Sequence, residues 1–423
     1  MKISDIVFKS YEEVQAMPRF DFMRKTRKPS NFLKPLMLFL CLPEYLKRKS
    51  QVTKINMKGL KPPFFMLCNH NSFFDFKVAT MSTFPRVGCN VVAIDGFINR
   101  ERLLRWCGCI GKRKFTNDPG LIYNIQHILK DKKGILSLYP EARYSLVGTT
   151  SPLPDALGKM VKMFNVPVVV LTNHGHHLAQ PVWNLKKRKN RTESTMNQII
   201  TQQDVKSLSI NEINTRIQKA FVYDDYRWQK DNDIHITEEF RAEGLHLPLY
   251  KCPICGSEHD MNSQGADLFC EKCHAHWHMN ELGELESDHQ SFRHIPDWFN
   301  WERAQVNEEI RSGTYHYEQE VMIDSLPNSQ GYYRLGKGTL VHTSEGFRLT
   351  GEFAPDFELV KKPLENFGVH IEYNYFGRGN CISLSTRNDT YYIYPLDQKQ
   401  SVTKLHFAAE ELYQITKEKM TAK

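Results

Sequence analysis

Long apolar runs are missing from this 423-residue chain. Its stretch 36–42 is apolar over seven residues, against the roughly 20 that a helix needs to span a bilayer. The first 20 residues carry charges throughout and have no apolar centre, so no secretory leader is expected there. Excess positive charge is missing from most of the chain as well. The formal charge is +8, and residues 1–60, with 13 Lys and Arg against 5 Asp and Glu, account for all of it. A balanced body excludes the profile of a nucleic-acid binder, and no nucleic-acid partner is expected. No G-x-S-x-G run is present, which excludes the usual elbow of a serine acyl-enzyme. Outside one tight foursome the cysteines are scattered singly (Cys41, Cys68, Cys89, Cys107, Cys109, Cys381). That usage suits a reducing compartment, and a cytoplasmic location is expected.

What is present begins with the basic end. Segment 24–49 sets Arg24, Lys25, Arg27 and Lys28 before the apolar stretch and Lys47, Arg48 and Lys49 after it. Pro35 and Pro43 bound the stretch, so a short embedded helix or re-entrant turn is expected at an anionic phospholipid surface. Each cation near such a leaflet contributes about 1 kcal/mol. Residues 1–50 are therefore read as a membrane-associating segment, peripheral on the inner face of the membrane; a core helix with solvated ends is the alternative.

The stretch 69–76, NHNSFFDF, carries the first chemistry. His70 and Asp75 are five residues apart, about 500° of helix rotation, so one continuous helix would not put them on one face. A strand ending near Cys68, a turn carrying His70 and a helix whose first turn returns Asp75 to the imidazole fit the spacing. A carboxylate on one ring nitrogen fixes the tautomer and leaves the other as a general base. Ser72-x-x-Asp75 is also a capping box, in which Asp75 would only satisfy a backbone donor.

Over residues 51–225 short apolar runs (52–57, 64–67, 90–94, 135–138, 166–171) alternate with helix-period runs (72–82, 100–106, 119–131, 155–164). Such alternation predicts an α/β unit, a mostly parallel sheet with flanking helices. In such sheets chemistry collects at the carboxyl ends of the strands. That edge receives His70 and Asp75, then YPEARYS (139–145), then Thr172 to His177, and the basic run Lys112, Arg113 and Lys114 lies close by in the order of elements. His174, His176 and His177 have no carboxylate near them in sequence, so they are read as loop polarity near the substrate, with a metal role as the alternative.

With these residues in place, NHNSFFD resembles the first motif, N-H-x-S-x-x-D, of the glycerolipid acyltransferases, the PlsC-like family of 1-acylglycerol-3-phosphate and glycerol-3-phosphate acyltransferases. YPEARYS resembles the third, F-P-E-G-T-R-S, and NVPVVVL, with Pro167, the fourth. GCIGKR resembles the second and would place its arginine at Arg113, with Lys114 as the substitute. In YPEARYS the glycine is Ala142, and the arginine, Arg143, stands one place early with Tyr144 after it. The resemblance implies acyl transfer from acyl-CoA or acyl carrier protein to the hydroxyl of a lysophospholipid or glycerol phosphate acceptor. His70 would be the base oriented by Asp75, and Ser72, Arg113, Lys114, Glu141, Arg143 and Pro167 would serve the substrate.

Past a polar linker or lid at 226–250, Cys252-x-x-Cys255 and Cys270-x-x-Cys273 have the spacing of a four-thiolate zinc site, with Pro253 and Gly256 suited to its turns. A zinc-ribbon-like module over 251–285 holding a structural zinc is expected; a disulfide pair or a redox CxxC is the alternative. An acidic, aromatic connector follows at 286–309. From 310 to 423 the period changes to two, predicting about seven strands and a closing helix with Leu405, Ala408, Ala409, Leu412 and Ile415 on one face. This pattern is similar to the roll of pleckstrin-homology-like (PH-like) domains. The chain is read as an acyltransferase; a non-catalytic lipid-binding or scaffold protein is the second reading.

Overall fold

A computed structural model describes residues 5–29 and 31–421; the ends of the expected N- and C-terminal segments, 1–4 and 422–423, and Ser30 lie outside them. Strand Phe64–Cys68 is buried at all five positions, as a strand covered on both faces must be. It lies inside a seven-stranded sheet. The order is Gln51–Ile55, Glu193–Ile200, Val168–His174, Phe64–Cys68, Ile135–Leu138, Cys89–Ala93, Cys109–Lys112. All neighbours run parallel except Val168–His174 with Glu193–Ile200. The mostly parallel sheet is thus observed, and each expected strand is in it. Glu193–Ile200 has no counterpart among the expected strands, because its polar residues give no apolar run.

Helices Phe74–Thr83, Glu101–Trp106, Pro119–Gln126 and Ala156–Phe164 occupy the expected places. Asp118 caps Pro119–Gln126 by accepting from the Gly120 and Leu121 N–H groups, so the proline start and the cap act together.

The basic end differs from expectation. Residues Lys34–Lys47 form one 14-residue helix with Pro35 in its first turn and Pro43 inside it, so the second proline does not bound the helix. The carbonyl that loses its partner at Pro43 belongs to Phe39, on the solvent side, where water can replace it. At 1.5 Å per residue the helix is about 21 Å long, and no described helix is long and apolar enough to cross a membrane. Met37 and Cys41 face the protein, whereas Phe32, Leu36, Phe39, Leu40 and Leu46 are exposed, Phe39 by 74%. Glu44 fixes the helix to the body through Lys77 (2.7 Å) and Lys187 (3.1 Å). Ahead of it, Ile6–Phe8 pairs in parallel with Tyr332–Thr343 of the C-terminal sheet.

The stretch 226–250 is not a solvated linker: Ile236, Ala242, Leu245 and Leu249 are buried in the largest core. The connector is an 18-residue helix, Ile295–Ser312, that buries Trp298, Phe299 and Val306. Both join a core that also takes in Val14, Trp183, Trp277, Ile382 and Phe407, so the α/β unit, the cysteine module and the C-terminal unit share one interior.

The cysteine module is a four-stranded antiparallel sheet, from Met261–Gln264 to Leu285–Glu286. In the C-terminal unit, seven strands from Tyr317–Ser325 to Thr390–Pro395 pair in the order fourth, third, second, first, seventh, sixth, fifth. Helix Val402–Thr421 closes it and buries Leu405, Ala408, Ala409, Leu412 and Ile415, the face read from the sequence.

Candidate active site

Strand Phe64–Cys68 ends on Asn69, whose side-chain amide copies a strand partner. Its Nδ2 donates to the Asn173 carbonyl (2.9 Å) and its Oδ1 accepts from the Asn173 N–H (2.8 Å). The chain then turns through His70, and helix Phe74–Thr83 begins without a side-chain cap on its own N-terminus. Asp75, in the first turn and fully buried, reaches back instead. Its Oδ2 accepts from the N–H groups of Asn71 (2.6 Å) and Ser72 (3.0 Å) and lies 3.0 Å from His70 Nδ1. Cap and dyad, posed as alternatives, are therefore one arrangement: the carboxylate holds the turn and the imidazole together. Ser72 contributes its backbone, and its hydroxyl is buried without a partner.

Asp75 also holds a second ring. Its Oδ1 lies 2.6 Å from Nδ1 of His176, which is fully buried. Burial alone would raise the Asp75 pKa, but the two imidazoles outweigh it and hold the carboxyl below its ordinary range. The sequence reading gave His176 only loop polarity. Its signal was its place after a strand at the same carboxyl edge that carries His70. His177 is buried without a partner on either nitrogen, and burial pushes its pKa down to about 3. His174 stacks on Trp228. The three histidines gather no metal-ligating set; among the described residues only the four cysteines do.

The His70 ring, 21% exposed, lies between Tyr139 and Tyr144, with centroids 4.2 and 4.1 Å away. The loop that carries these tyrosines is tied to the His70 turn by the Ser145 N–H, which donates to the His70 carbonyl (2.7 Å). Ala142 stands at φ +58°, in the left-handed region where the family motif has glycine. Glu141 is fully buried and is no surface ion pair. It accepts from the Ser151 N–H (3.1 Å), and burial, opposed by that bond and by nearby Arg143, pushes its pKa up to about 8.

The expected phosphate wall is built differently. Arg113 is buried and donates to four acceptors of the C-terminal unit: the Leu326, Pro327 and Asn388 carbonyls and Thr390 Oγ1, at 2.8–3.0 Å. Arg143 is buried against Glu410 of the closing helix, which Arg303 also contacts at 2.7 Å. Both guanidinium groups are engaged across the boundary between units, and the Nε of each is buried without a hydrogen-bond partner. Lys114 remains partly exposed, with its Nζ 2.8 Å from His370 Nε2. Pro167 does not line the site either. Its carbonyl accepts from the Phe65 N–H at the amino end of the strands, roughly 15–20 Å along the strand direction from His70.

Cys252, Cys255, Cys270 and Cys273 are free thiols whose sulfurs all lie within 4.8 Å of one another. Cys252 and Cys273 are 3.7 Å apart, and Cys255 and Cys270 3.8 Å. A disulfide needs about 2 Å, whereas a tetrahedron of sulfurs about 2.3 Å from a central zinc has edges of about 3.8 Å. The two knuckles match: Gly256 and His274 both take positive φ, and their N–H groups donate to the Cys252 and Cys270 carbonyls (3.0 and 2.9 Å). This set can bind a metal such as zinc.

No family model matches the chain, and no curated protein matches it. Among solved structures, it is similar to the 1-acyl-sn-glycerophosphate (LPA) acyltransferase PlsC from Thermotoga maritima. The likeness has 15% identity and a TM-score of 0.37, and covers 45% of this chain and 77% of that one. It is a distant likeness of fold.

The raised Glu141 pKa has a thermodynamic sign. Above the ordinary carboxyl value of 4.5 the unfolded chain releases the proton that the fold keeps up to about pH 8, so the stability contributed by the neutral form is lost as pH rises through that window. Glu141→Gln cannot ionise. Its melting temperature relative to wild type should climb by about 2 °C or more between pH 5 and pH 8, and a flat difference across scanning calorimetry runs would contradict a neutral Glu141.

Proposed function

We propose that the chain is an O-acyltransferase working at a membrane surface, with acyl-CoA or acyl carrier protein as donor and a lysophospholipid- or glycerol-phosphate-type hydroxyl, as the motifs imply, as the starting assignment of acceptor. The observation that carries the reading is the His70–Asp75 pair at the carboxyl edge of the sheet, with the imidazole half-open between two tyrosines. The His70 Nδ1–H donates a hydrogen bond to Asp75, which stays ionised and leaves Nε2 free. The acceptor O–H proton passes to Nε2 as its oxygen bonds to the thioester carbonyl carbon. The C–S bond then breaks, and the leaving thiolate takes the proton from His70. His176, held by the other carboxylate oxygen, keeps Asp75 ionised and oriented. A scaffold could use the carboxylate to hold the turn but has no need of an imidazole left partly open beside it.

General-base assistance contributes roughly 10²- to 10⁴-fold. His70→Ala should lose about 100-fold or more of thioester-dependent acyl transfer, followed as release of free CoA with a panel of lysolipids. Near-wild-type release would sink the mechanism.

The exposed stripe Phe32, Leu36, Phe39, Leu40 and Leu46, flanked by the basic residues, supports peripheral attachment to an anionic leaflet. Phe39→Glu with Leu40→Glu should abolish flotation with phosphatidylglycerol vesicles; undiminished flotation would remove the stripe from membrane binding.

The cysteine module supports a structural zinc, since four thiolates leave no open position for chemistry. Metal analysis should find one zinc per chain, and chelation should lower the melting temperature. A value well below one zinc would exclude the assignment. The strand order and closing helix of the C-terminal unit support the PH-like roll.

A further inference from the structure

The loss of both arginines leaves a question of charge at the mouth of the His70 site. Tyr144, whose ring lies tilted against His70, has residues of two units around it. Burial, and then the carboxylates of Asp75, Glu372 and Asp95, push its phenol well above the ordinary value. Asp95 lies in the turn Ile94–Phe97 just past the carboxyl end of strand Cys89–Ala93, and its Oδ2 accepts from the hydroxyls of Tyr375 and Tyr392 of the C-terminal unit, at 3.2 Å each. Lys114 approaches His370, whose Nε2 lies 3.0 Å from Glu372 Oε1. Asp95, Lys114, Tyr144 and Tyr375 are partly exposed, and Glu372 is 20% exposed, so the group borders solvent and meets His70 through Tyr144.

We infer that this junction of the α/β and C-terminal units, Asp95, Lys114, Tyr144 and Glu372, is the acceptor head-group subsite, and that it takes a phosphate-free polyol. The inference rests on the acyltransferase reading above and replaces its starting assignment of acceptor. A phosphate monoester carries up to two negative charges and would face the Asp75, Asp95 and Glu372 carboxylates with one lysine in its favour. Like charges repel, and the two motif guanidinium groups, of Arg113 and Arg143, are engaged by the C-terminal unit and do not offset it. Vicinal hydroxyls have the opposite fit. Their O–H groups donate to Asp95 and Glu372, their oxygens accept from Lys114, and a sugar or glycerol face lies against the Tyr144 ring. Asp95 and Glu372 escaped the sequence reading, since neither belongs to a motif and they are 277 positions apart.

The test uses the full chain, palmitoyl-CoA and phosphatidylglycerol vesicles that present 1-oleoylglycerol, a monoglucosyl diacylglycerol or 1-oleoyl-lysophosphatidate, with free glucose as the water-soluble arm. At least one phosphate-free acceptor should be acylated tenfold or more faster than lysophosphatidate. The lipid and glucose arms show whether the polyol is membrane-borne. Glu372→Lys should shift the ratio toward lysophosphatidate by tenfold or more, and Glu372→Gln should shift it less, which guards against a misfolded reversal variant. Lysophosphatidate acylated fastest, with a ratio that neither variant moves, overturns the inference and leaves the acyltransferase reading standing. Absence of acyl transfer to every acceptor overturns that reading and the inference with it.

Discussion

One buried guanidinium decides how the units of this protein meet. Arg113 leaves strand Cys109–Lys112 and gives its terminal N–H groups to three carbonyls and a hydroxyl of the C-terminal unit. A planar fork placed in this way is costly to replace: lysine has the charge without the geometry, and alanine would strand acceptors on three buried residues, Leu326, Pro327 and Thr390. Arg143 repeats the arrangement with Glu410 and ties the loop of Glu141 and Tyr144 to the last helix. The two residues with which the motifs would bind phosphate therefore bind protein. The C-terminal unit is part of the site's construction and not an appendage to it.

Within the α/β unit, Asp75 has the corresponding role at short range. One carboxylate satisfies two N–H groups of the turn and two imidazoles. Removing it would release the turn, the base and His176 together, so its effects on folding and chemistry cannot be separated by deleting it. His70 can be tested alone because it is the partner with an open face.

Much of this was legible in the sequence. Apolar runs of four to six residues marked the central strands, such as Phe64–Cys68, since a strand buried on both faces has no polar side to interrupt it. The five-residue interval gave the His70 turn, because helix geometry forbids the alternative. The paired Cys-x-x-Cys knuckles gave the four-sulfur cluster, because their ligands are local. Glu193–Ile200 was illegible, as its polar half masks the apolar pattern, and so was the burial of 226–250, where a polar composition concealed buried aliphatic residues such as Ile236 and Leu245 among the charges. Helix Lys34–Lys47 kept Pro43 because its lost hydrogen bond falls on the open side, a fact that depends on which face is covered.

Sequence alone determined what is encoded over a few residues: the strand and helix periods, the histidine and carboxylate at a fixed interval, the cysteine knuckles and the cations at one end. Only the tertiary structure decided the partners. His176 meets Asp75 across 101 positions, Arg113 meets Thr390 across 277, and Lys114 meets His370 across 256. A side chain's type states which bonds it can make. Which bond it makes is set by the fold that closes around it, and here that closure turned two expected phosphate ligands into structural clamps.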